Sequence, residues 1–325
     1  MINDTPLNTA GNSSKLGWER ELIEKLAMEA LREQRLRRRW GIFFKLIFLA
    51  LTVSSLYLFS DFGSGEMENL GRHTALVEID GAIESEGSGS AQAVIPALNR
   101  AFLDANSVGV IMRINSPGGS PVQAGMISDE IGRLRKEFPQ KKLYVVVDEM
   151  CASGGYYIAA AADKIFVNKA SVVGSIGVLM DGFGFTALME KAGVERRLMT
   201  AGENKGFMDP FSPHSEKQKA FSQTMLNEIH QQFIDVVRKG RGQRLKETPE
   251  TFSGLFWIGS KAVEMGLADD FGSVDSVARD VFKAEDIVDY TQKEGLPERV
   301  LKKFGASIGN GAISSIWKGS SPSLR

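Results

Sequence analysis

The stretch MCASGGYYIAAAAD, residues 150–163, follows the apolar run LYVVV, residues 143–147. The run is typical of a buried strand, and the alanine-rich part of the stretch is typical of a helix. Between them stand Ser153, Gly154 and Gly155. A serine at this point can cap the helix, or it can present its hydroxyl at the end of the strand. The residue types leave both interpretations open.

Strand and helix patterns alternate on both sides of this stretch. The predicted strands are TALVEIDGAI (74–83), VGVIMRI (108–114), LYVVV (143–147) and KIFVN (164–168), and the predicted helices are AQAVIPALNRAFLD (91–104), VQAGMISDEIGRLRKEF (122–138) and YYIAAAAD (156–163). This order predicts an α/β fold with a mainly parallel sheet and helices on both of its faces. Functional sites in such sheets gather at the carboxyl ends of strands. Both NSPGGSP (115–121) and CASGG (151–155) lie at such ends.

The C-terminal part predicts a long amphipathic helix over residues 215–241, then a strand and two helices over residues 252–282. From residue 290 onward the chain is weakly patterned, and a tail, an interface arm and disorder all remain open. The predicted divisions are a cytoplasmic N-terminal segment (1–40), a transmembrane anchor (41–60), a linker (61–73), a catalytic domain (74–285) and a C-terminal tail (286–325).

Composition excludes several classes of function. With 325 residues and 43% hydrophobic content, the chain can bury a full-sized core. A net charge of -1 argues against a general nucleic-acid-binding protein. One cysteine, Cys151, excludes an intrachain disulfide, and three histidines without ligand spacing argue against a metal site. We expect no metal, no cofactor and no nucleic-acid partner.

The N-terminal charge pattern predicts a retained membrane anchor. Residues 32–39, REQRLRRR, carry five arginines and one acid, and residues 41–60 contain Lys45 as their only charge. Twenty helical residues span roughly 30 Å, the thickness of a bilayer's hydrocarbon core. Basic residues before the apolar run and acidic residues after it place the N-terminus in the cytoplasm. A cleaved signal peptide would have a shorter apolar core and a small-residue cleavage site.

The turns carry the candidate chemistry. The amide of Gly154 lies at the predicted start of a helix, where free N–H groups suit an oxyanion. In NSPGGS, Gly118 and Gly119 can present a second such amide, although a plain turn into a helix is the alternative. A Ser-His-Asp triad is weakly supported. A desolvated lysine could act as the base instead, since burial lowers its pKa. Lys205 is a candidate, although a lysine beside glycine is also typical of a surface.

Five segments of the chain resemble the signal peptide peptidase A family of serine/lysine membrane peptidases. They are SPGGS (116–120), DEMCASGGYYIAAAADKIFVN (148–168), VVGSIGV (172–178), AGENKGFMDPF (201–211) and FSGLFWIGSKAVEMGLADDFGSVD (252–275). The likeness covers about residues 74–285, and the single unit is similar to the short form of the family. It implies the ββα superhelix of the Clp-protease and crotonase superfamily.

The resemblance assigns roles to individual residues. Ser153 matches the nucleophile, Lys205 the general base, and Ser175 the serine that orients the lysine. Gly119 and Gly154 match the two oxyanion donors. Four apolar residues near the site would suit an apolar substrate side chain, although an ordinary core position is equally open for them: Val172, Val173, Ile176 and Val178.

The resemblance further implies hydrolysis of leftover signal peptides in or beside the membrane, by a single-pass protein of the bacterial inner membrane whose catalytic domain is periplasmic. It implies a ring- or dome-like homo-oligomer, in which one subunit supplies the serine and another the lysine of each site. Two other functions remain as alternatives. One is an acyl-CoA enzyme of the crotonase type, and the other is an inactive membrane scaffold that keeps the fold.

Overall fold

The computed structural model describes the backbone of residues 13–60 and 71–292. In the first range, side chains are described mainly for residues 32–35 and 37–55. The chain divides into two units, residues 1–69 and residues 70–325.

The described part of the first unit is one continuous helix, α1 (Ser13–Ser60). It contains the arginine-rich segment and the predicted anchor, residues 41–60. Residues 41–55 are exposed throughout, while the side chains of residues 56–60 lie outside the described part. Among the described residues, no helix combines the length and the apolar character that crossing a bilayer requires. Most of the predicted linker, residues 61–70, also lies outside the described part.

The second unit alternates strands and helices, as the sequence pattern predicts. Its strands are β1 (His73–Asp80), β2 (Ser107–Ser116), β3 (Lys142–Ala152), β4 (Lys164–Val167), β5 (Val172–Gly174), β6 (Phe256–Ile258), β7 (Asp270–Phe271) and β8 (Ile287–Asp289). Its helices are α2 (Ala91–Leu103), α3 (Pro121–Glu137), α4 (Gly154–Ala159), α5 (Thr186–Lys191), α6 (Glu216–Arg241), α7 (Gly259–Glu264) and α8 (Val274–Ser276), which continues into a π-helical turn (Val277–Phe282).

The strands form one sheet in the order β6-β5-β3-β2-β1-β8, with β4 placed between β3 and β7. The β5–β6 pair is antiparallel. The other strand pairs are parallel. The prediction of an α/β fold with a mainly parallel sheet is therefore confirmed.

Alternate residues of the central strands point to opposite faces of the sheet, because side chains along a strand alternate in direction. Val110 and Met112 of β2 belong to the larger core, which includes Leu98 of α2 and Ile127 of α3. Ile111 belongs to a smaller core on the other face. That second core also contains Leu76, Val146 and Phe166, with Val277 and Ala278 of the π-helical turn. Both faces of the sheet are thus covered by helical segments.

Polar side chains define the starts of several helices. Ser90 and Ser120 accept hydrogen bonds from backbone amides at the first turns of α2 and α3. Pro121 follows Ser120 at the first position of α3, where its missing amide hydrogen has no cost. Ser215 and Gln218 form a reciprocal capping box at the start of α6.

The predicted boundary of the domain at residue 285 is too early. Strand β8 lies in the predicted tail, and it pairs with β1 along the edge of the sheet. Tyr290 directly follows β8 and bonds through its hydroxyl to Asp104, and it lies 3.1 Å from the His73 imidazole. His73, which the prediction placed in the linker, is the first residue of β1. These contacts join the two ends of the folded unit.

Candidate active site

Three neighbouring strands end at the same edge of the sheet and carry the candidate residues. β3 lies between β2 and β5 and is parallel to both. Ser116 of β2 is paired with Cys151 of β3, and Ala152 of β3 is paired with Gly174 of β5. The SPGG turn, Ser153 and Ser175 follow these strand ends directly. Parallel pairing therefore brings together three segments that are well separated in sequence.

Ser153 occupies an unusual backbone conformation between β3 and α4. Its φ is 51° and its ψ is -122°, a backbone conformation that residues other than glycine rarely adopt. Its amide donates to the carbonyl of Gly174 at 2.9 Å, and its carbonyl accepts from Tyr157 at 2.9 Å. Its side chain makes no capping hydrogen bond with α4. The structure therefore does not support the interpretation of Ser153 as a simple cap.

The SPGG turn packs against the Ser153 turn. Gly118 has a φ of +100°, and a Cβ at this position would lie 2.6 Å from the Cβ of Ser153. Gly119 has a φ of +149°, and a Cβ there would lie 2.1 Å from the carbonyl oxygen of Ile83. The hydroxyl of Ser116 accepts from the Gly118 amide at 3.1 Å. Only glycine fits both positions, because a side chain would meet backbone atoms and require a disfavoured φ.

The backbone amides of Gly119 and Gly154 at this place have no partner within the bridge to Ile83 and within α4, respectively. Ile83 bonds to the carbonyl of Gly118 and to the amide of Ser120, so the Gly119 amide points away from Ile83. Gly154 is the first residue of α4, and such an amide has no partner within its helix. A Cβ on Gly154 would lie 3.3 Å from the nitrogen of Gly119, which shows how closely the two turns approach.

Ser175 follows β5 in a second strained turn. Its φ is 51°, and its amide donates to the carbonyl of Leu255 at 2.7 Å. The amide of Gly177 donates back to the Ser175 carbonyl at 2.9 Å, which closes a tight turn around Ile176. Ser175 is half-buried.

A cavity of about 620 Å³ borders the Ser153, Ser175 and SPGG turns. Ser153, Gly154, Gly119 and Ser175 all line it. Its remaining lining is mostly apolar and includes Tyr157, Val178, Leu179, Met180, Leu226, Ile229 and Phe233. Ser153 and the two glycines thus line one largely apolar space. Attack on a carbonyl group requires a nucleophile and backbone donors in such a space.

The four predicted pocket residues separate into different environments. Val178 lines the cavity. Val173 and Ile176 are completely buried in the main core. Val172 is half-buried in β5 and does not border the cavity. Within β5, the alternation of side chains along a strand explains why the neighbours Val172 and Val173 have different surroundings.

Lys205 does not line the cavity within a single chain. It lies in an exposed turn, where its amide donates to the carbonyl of Gly202 at 3.1 Å. The surrounding segment, residues 179–205, is exposed along nearly its whole length. The structure therefore brings Ser153, Ser175, Gly119 and Gly154 together, and it leaves Lys205 outside this group.

Cys151 is fully buried beneath the site, two residues before Ser153. Burial raises the pKa of its thiol, because the apolar surroundings disfavour the thiolate. Cys151 is therefore a buried neighbour of Ser153. A neutral thiol without access to the cavity is a poor nucleophile.

Sequence reasoning did not identify one wall of the cavity. Leu226, Ile229 and Phe233 of α6 line it, and Phe233 lies against Tyr157 with 5.1 Å between the ring centres. Their spacing of three and four residues marks one face of a helix, and this spacing was visible in the sequence. Nothing in the sequence showed which part of the sheet that face would cover.

A comparison with known protein families finds one profile that matches part of the chain. Residues 135–287 match the sequence profile of the family described as Peptidase family S49. The matched region begins in α3 and contains Ser153, Ser175 and Lys205. It ends at the first residue of β8.

Three relatives illustrate the extent of the similarity. Na(+)/H(+) antiporter NhaA of Brucella abortus is 40% identical over 241 residues, which are 72% of this chain and 33% of that protein. "Putative signal peptide peptidase SppA" of Enterococcus faecium is 33% identical over 184 residues, 56% of this chain and 53% of that protein. Protease 4 of Haemophilus influenzae is 30% identical over 266 residues, 80% of this chain and 42% of that protein.

The matches cover between one third and about half of the length of these relatives. The antiporter name belongs to a protein of which one third is matched. The family profile, by contrast, falls on the segment that contains Ser153, the end of β5 and α6. Residues 135–287 of the chain thus form a domain that matches peptidase family S49.

Proposed function

We propose that the protein is a serine peptidase in which Ser153 attacks the carbonyl carbon of a peptide bond. One observation carries this proposal: the Ser153 side chain does not cap its helix, and it lines an apolar cavity together with Gly119 and Gly154. The amides of these glycines would stabilise the oxyanion that forms on the attacked carbonyl. Ser153 would form an acyl-enzyme, which water then hydrolyses.

Lys205 is the proposed base, and we place it in the site of a neighbouring copy of the chain. It would take the Ser153 proton, pass it to the leaving amine and then activate the hydrolytic water. Lys205 lies outside its own chain's cavity, so intrachain pairing lacks support. Its segment exposes large apolar side chains, with Phe183 80% exposed and Met199 94% exposed. Apolar patches of this kind are typical of interaction sites. A ring- or dome-like homo-oligomer would cover them.

The proposed substrates are apolar peptides, and among them signal peptides that remain after cleavage from secreted proteins. The apolar wall of the cavity supports this class, because it would bury an apolar side chain next to Ser153. The relative from Enterococcus faecium carries the name of a signal peptide peptidase, which favours the same class.

Residues 41–60 are proposed as a single membrane anchor in the bacterial inner membrane. The length of this run and the arginines of residues 32–39 support the proposal. The N-terminus would then be cytoplasmic, and the peptidase unit would lie on the periplasmic side. Its cavity would be close to peptides that leave the bilayer.

The test compares the wild type with Ser153→Ala and Lys205→Ala on a fluorogenic apolar peptide. We expect each change to remove nearly all hydrolysis while the fold and the assembly are kept. Lys191→Ala is a matched control, because Lys191 is an exposed lysine in the same segment. Full activity in Ser153→Ala would contradict the proposed nucleophile, and full activity in Lys205→Ala would contradict the proposed base.

Mixing the two inactive variants tests the placement of Lys205 in a neighbouring copy. In an assembly randomly formed from equal amounts, about one quarter of the sites would combine an intact serine with an intact lysine from another chain. We therefore expect activity to reappear after the variants exchange subunits. If the two residues acted within one chain, the mixture would remain inactive.

A further inference from the structure

His230 on α6 connects the wall of the cavity to the turn that carries Ser175. Its Nε2 lies 3.1 Å from the carbonyl oxygen of Ile176, a residue 54 positions away in sequence. Since a carbonyl oxygen only accepts, Nε2 is the donor of this hydrogen bond. His230 is half-buried, and it directly follows Ile229, which lines the cavity.

The turn that receives this bond is also restrained by backbone hydrogen bonds and by the burial of Ile176. Ser175 has a φ of 51°, which is unfavourable for a residue with a side chain. The Ser175 amide is bound to Leu255, and the Gly177 amide closes the turn onto Ser175. The carbonyl of Ile176 lies at the tip of this turn. A conformation of this kind persists only where the surroundings fix it, and His230 supplies the side-chain hydrogen bond that does so.

We propose that His230 is a positioning residue, which holds the Ser175 turn so that the Ser175 hydroxyl faces the cavity. This inference rests on the proposed function, in which Ser175 orients the catalytic lysine. His230 acts through the backbone of Ile176 and does not itself touch the reacting atoms. The imidazole donates from Nε2 both as the neutral Nε2–H tautomer and as the imidazolium, so the bond persists in either charge state.

Two substitutions separate the hydrogen bond from the bulk of the side chain. His230→Leu keeps a side chain of similar size, but leucine cannot donate a hydrogen bond to the Ile176 carbonyl. His230→Gln keeps an N–H donor on a side chain that can reach the same carbonyl. His214→Leu is the matched control, because His214 is exposed and lies outside the cavity.

The kinetic test uses the full-length oligomer and the fluorogenic peptide that the wild type cleaves. We expect His230→Leu to lower kcat by a factor on the order of 100, because a small displacement of a catalytic group has an effect of this size. KM and the thermal midpoint should stay close to those of the wild type. His230→Gln should recover most of the loss, and His214→Leu should behave as the wild type. Equal kcat values in all variants would overturn the proposal, as would equal losses in both His230 variants.

A second measurement does not depend on peptidase activity. Hydrogen exchange, followed by mass spectrometry, reports on the amides of Ser175 and Gly177 in peptides from residues 172–180. We expect faster exchange in His230→Leu than in the wild type, and near-normal exchange in His230→Gln. Unchanged exchange in His230→Leu would refute the positioning role even if the wild type failed to cleave any peptide. Failure of the proposed function and failure of this inference are therefore distinguishable.

Discussion

Gly118 lies so close to Ser153 that a Cβ atom on the glycine would be 2.6 Å from the Cβ of the serine. The same atom would lie 2.7 Å from the amide nitrogen of Gly154. Both distances are well below ordinary contact between these atoms. The positions of Ser153 and of the Gly154 amide therefore depend on the absence of a side chain at Gly118, in the turn that follows β2.

Gly118→Ala is expected to remove activity and to destabilise the fold. Alanine at a φ of +100° is strained, and its Cβ would displace either Ser153 or Gly154. We expect activity to fall on the order of 100-fold, and the free energy of unfolding to fall by about 1–3 kcal/mol. Gly125→Ala is the control, since a Cβ there meets nothing within 4 Å. Gly125 lies inside α3, so alanine should stabilise the helix slightly. Wild-type kinetics in Gly118→Ala would contradict this account.

The strained backbone of Ser153 gives a prediction that separates catalysis from stability. Ser153→Ala and Ser153→Gly should both be inactive, because neither has a hydroxyl. Glycine tolerates a φ of 51° without the cost that alanine has. We expect Ser153→Gly to be more stable than Ser153→Ala by about 1 kcal/mol in chemical unfolding. The reverse order of stability would show that the backbone at this position is relaxed.

The sequence predicted the alternation of strands and helices because buried parallel strands are short apolar runs. It also placed Ser153 and the SPGG turn at strand ends. The helix after Ser153 was predicted over residues 156–163, whereas α4 spans Gly154–Ala159. It ends early because Asp163 is bound elsewhere: its carboxylate accepts from the Leu143 amide at 3.0 Å and from Arg135 at 2.6 Å. Such contacts between distant segments are not visible in a local pattern.

Other parts of the site also depended on contacts between distant segments. Lys205 was identified by resemblance to a motif, yet the structure leaves it outside the cavity of its own chain. His230 carried no recognisable signal, since its partner is a backbone carbonyl 54 residues away. Strand β8 is only three residues long and gains its place by pairing with β1. Local propensity has little influence on so short a segment.

Val178 and Val173 provide a direct comparison of a cavity residue with a core residue five positions away. Val178→Ala should change the preference among apolar peptides and leave stability nearly unchanged, because Val178 borders the cavity. Val173 is completely buried, and Val173→Ala should lower the free energy of unfolding by about 2 kcal/mol. The measurements are kcat/KM on a series of peptides and chemical unfolding. Similar effects of the two changes on peptide preference would contradict this division.

Tyr290 is expected to secure β8 to the sheet. Its hydroxyl donates to the Asp104 carboxylate, and the His73 imidazole lies 3.1 Å from it. Tyr290→Phe should lower the free energy of unfolding by about 1–3 kcal/mol, since it removes one of the donors to the charged Asp104 carboxylate. Tyr144→Phe is the control, because Tyr144 stacks on Phe282 with 4.8 Å between the ring centres and its ring is kept. Equal stability of the two variants would contradict this role of the Tyr290 hydroxyl.

The raised pKa of Tyr290 predicts a loss of stability at alkaline pH. Burial, and then the hydrogen bond and charge of Asp104, raise the pKa of Tyr290 above its ordinary value. A phenol whose pKa is raised in the folded state contributes stability below the unfolded pKa, which is about 10. This contribution is lost as the pH rises from about 10 towards the folded pKa. Stability measured between neutral and alkaline pH should fall more steeply in the wild type than in Tyr290→Phe.

Asp269 should make the fold sensitive to acid. It bonds to the buried Arg241 at 2.8 Å and to Arg244 at 2.9 Å. Burial acts to raise the pKa of Asp269, but the hydrogen bonds and charges of these arginines outweigh it, and the pKa lies below its ordinary value. A carboxylate with a lowered folded pKa contributes stability above the unfolded pKa, about 3.9, and loses it as the pH falls towards the folded value.

Asp269→Asn tests this role through the pH dependence of stability. At neutral pH the variant should be less stable by about 3 kcal/mol, because Arg241 would remain buried without a counter-charge. Below about pH 4 the wild type should lose stability more steeply than the variant, since only the wild type takes up a proton at this position on unfolding. Chemical unfolding at several pH values between neutral and acid gives both quantities. Parallel curves for the two proteins would show that the pKa of Asp269 is the same in the folded and unfolded states.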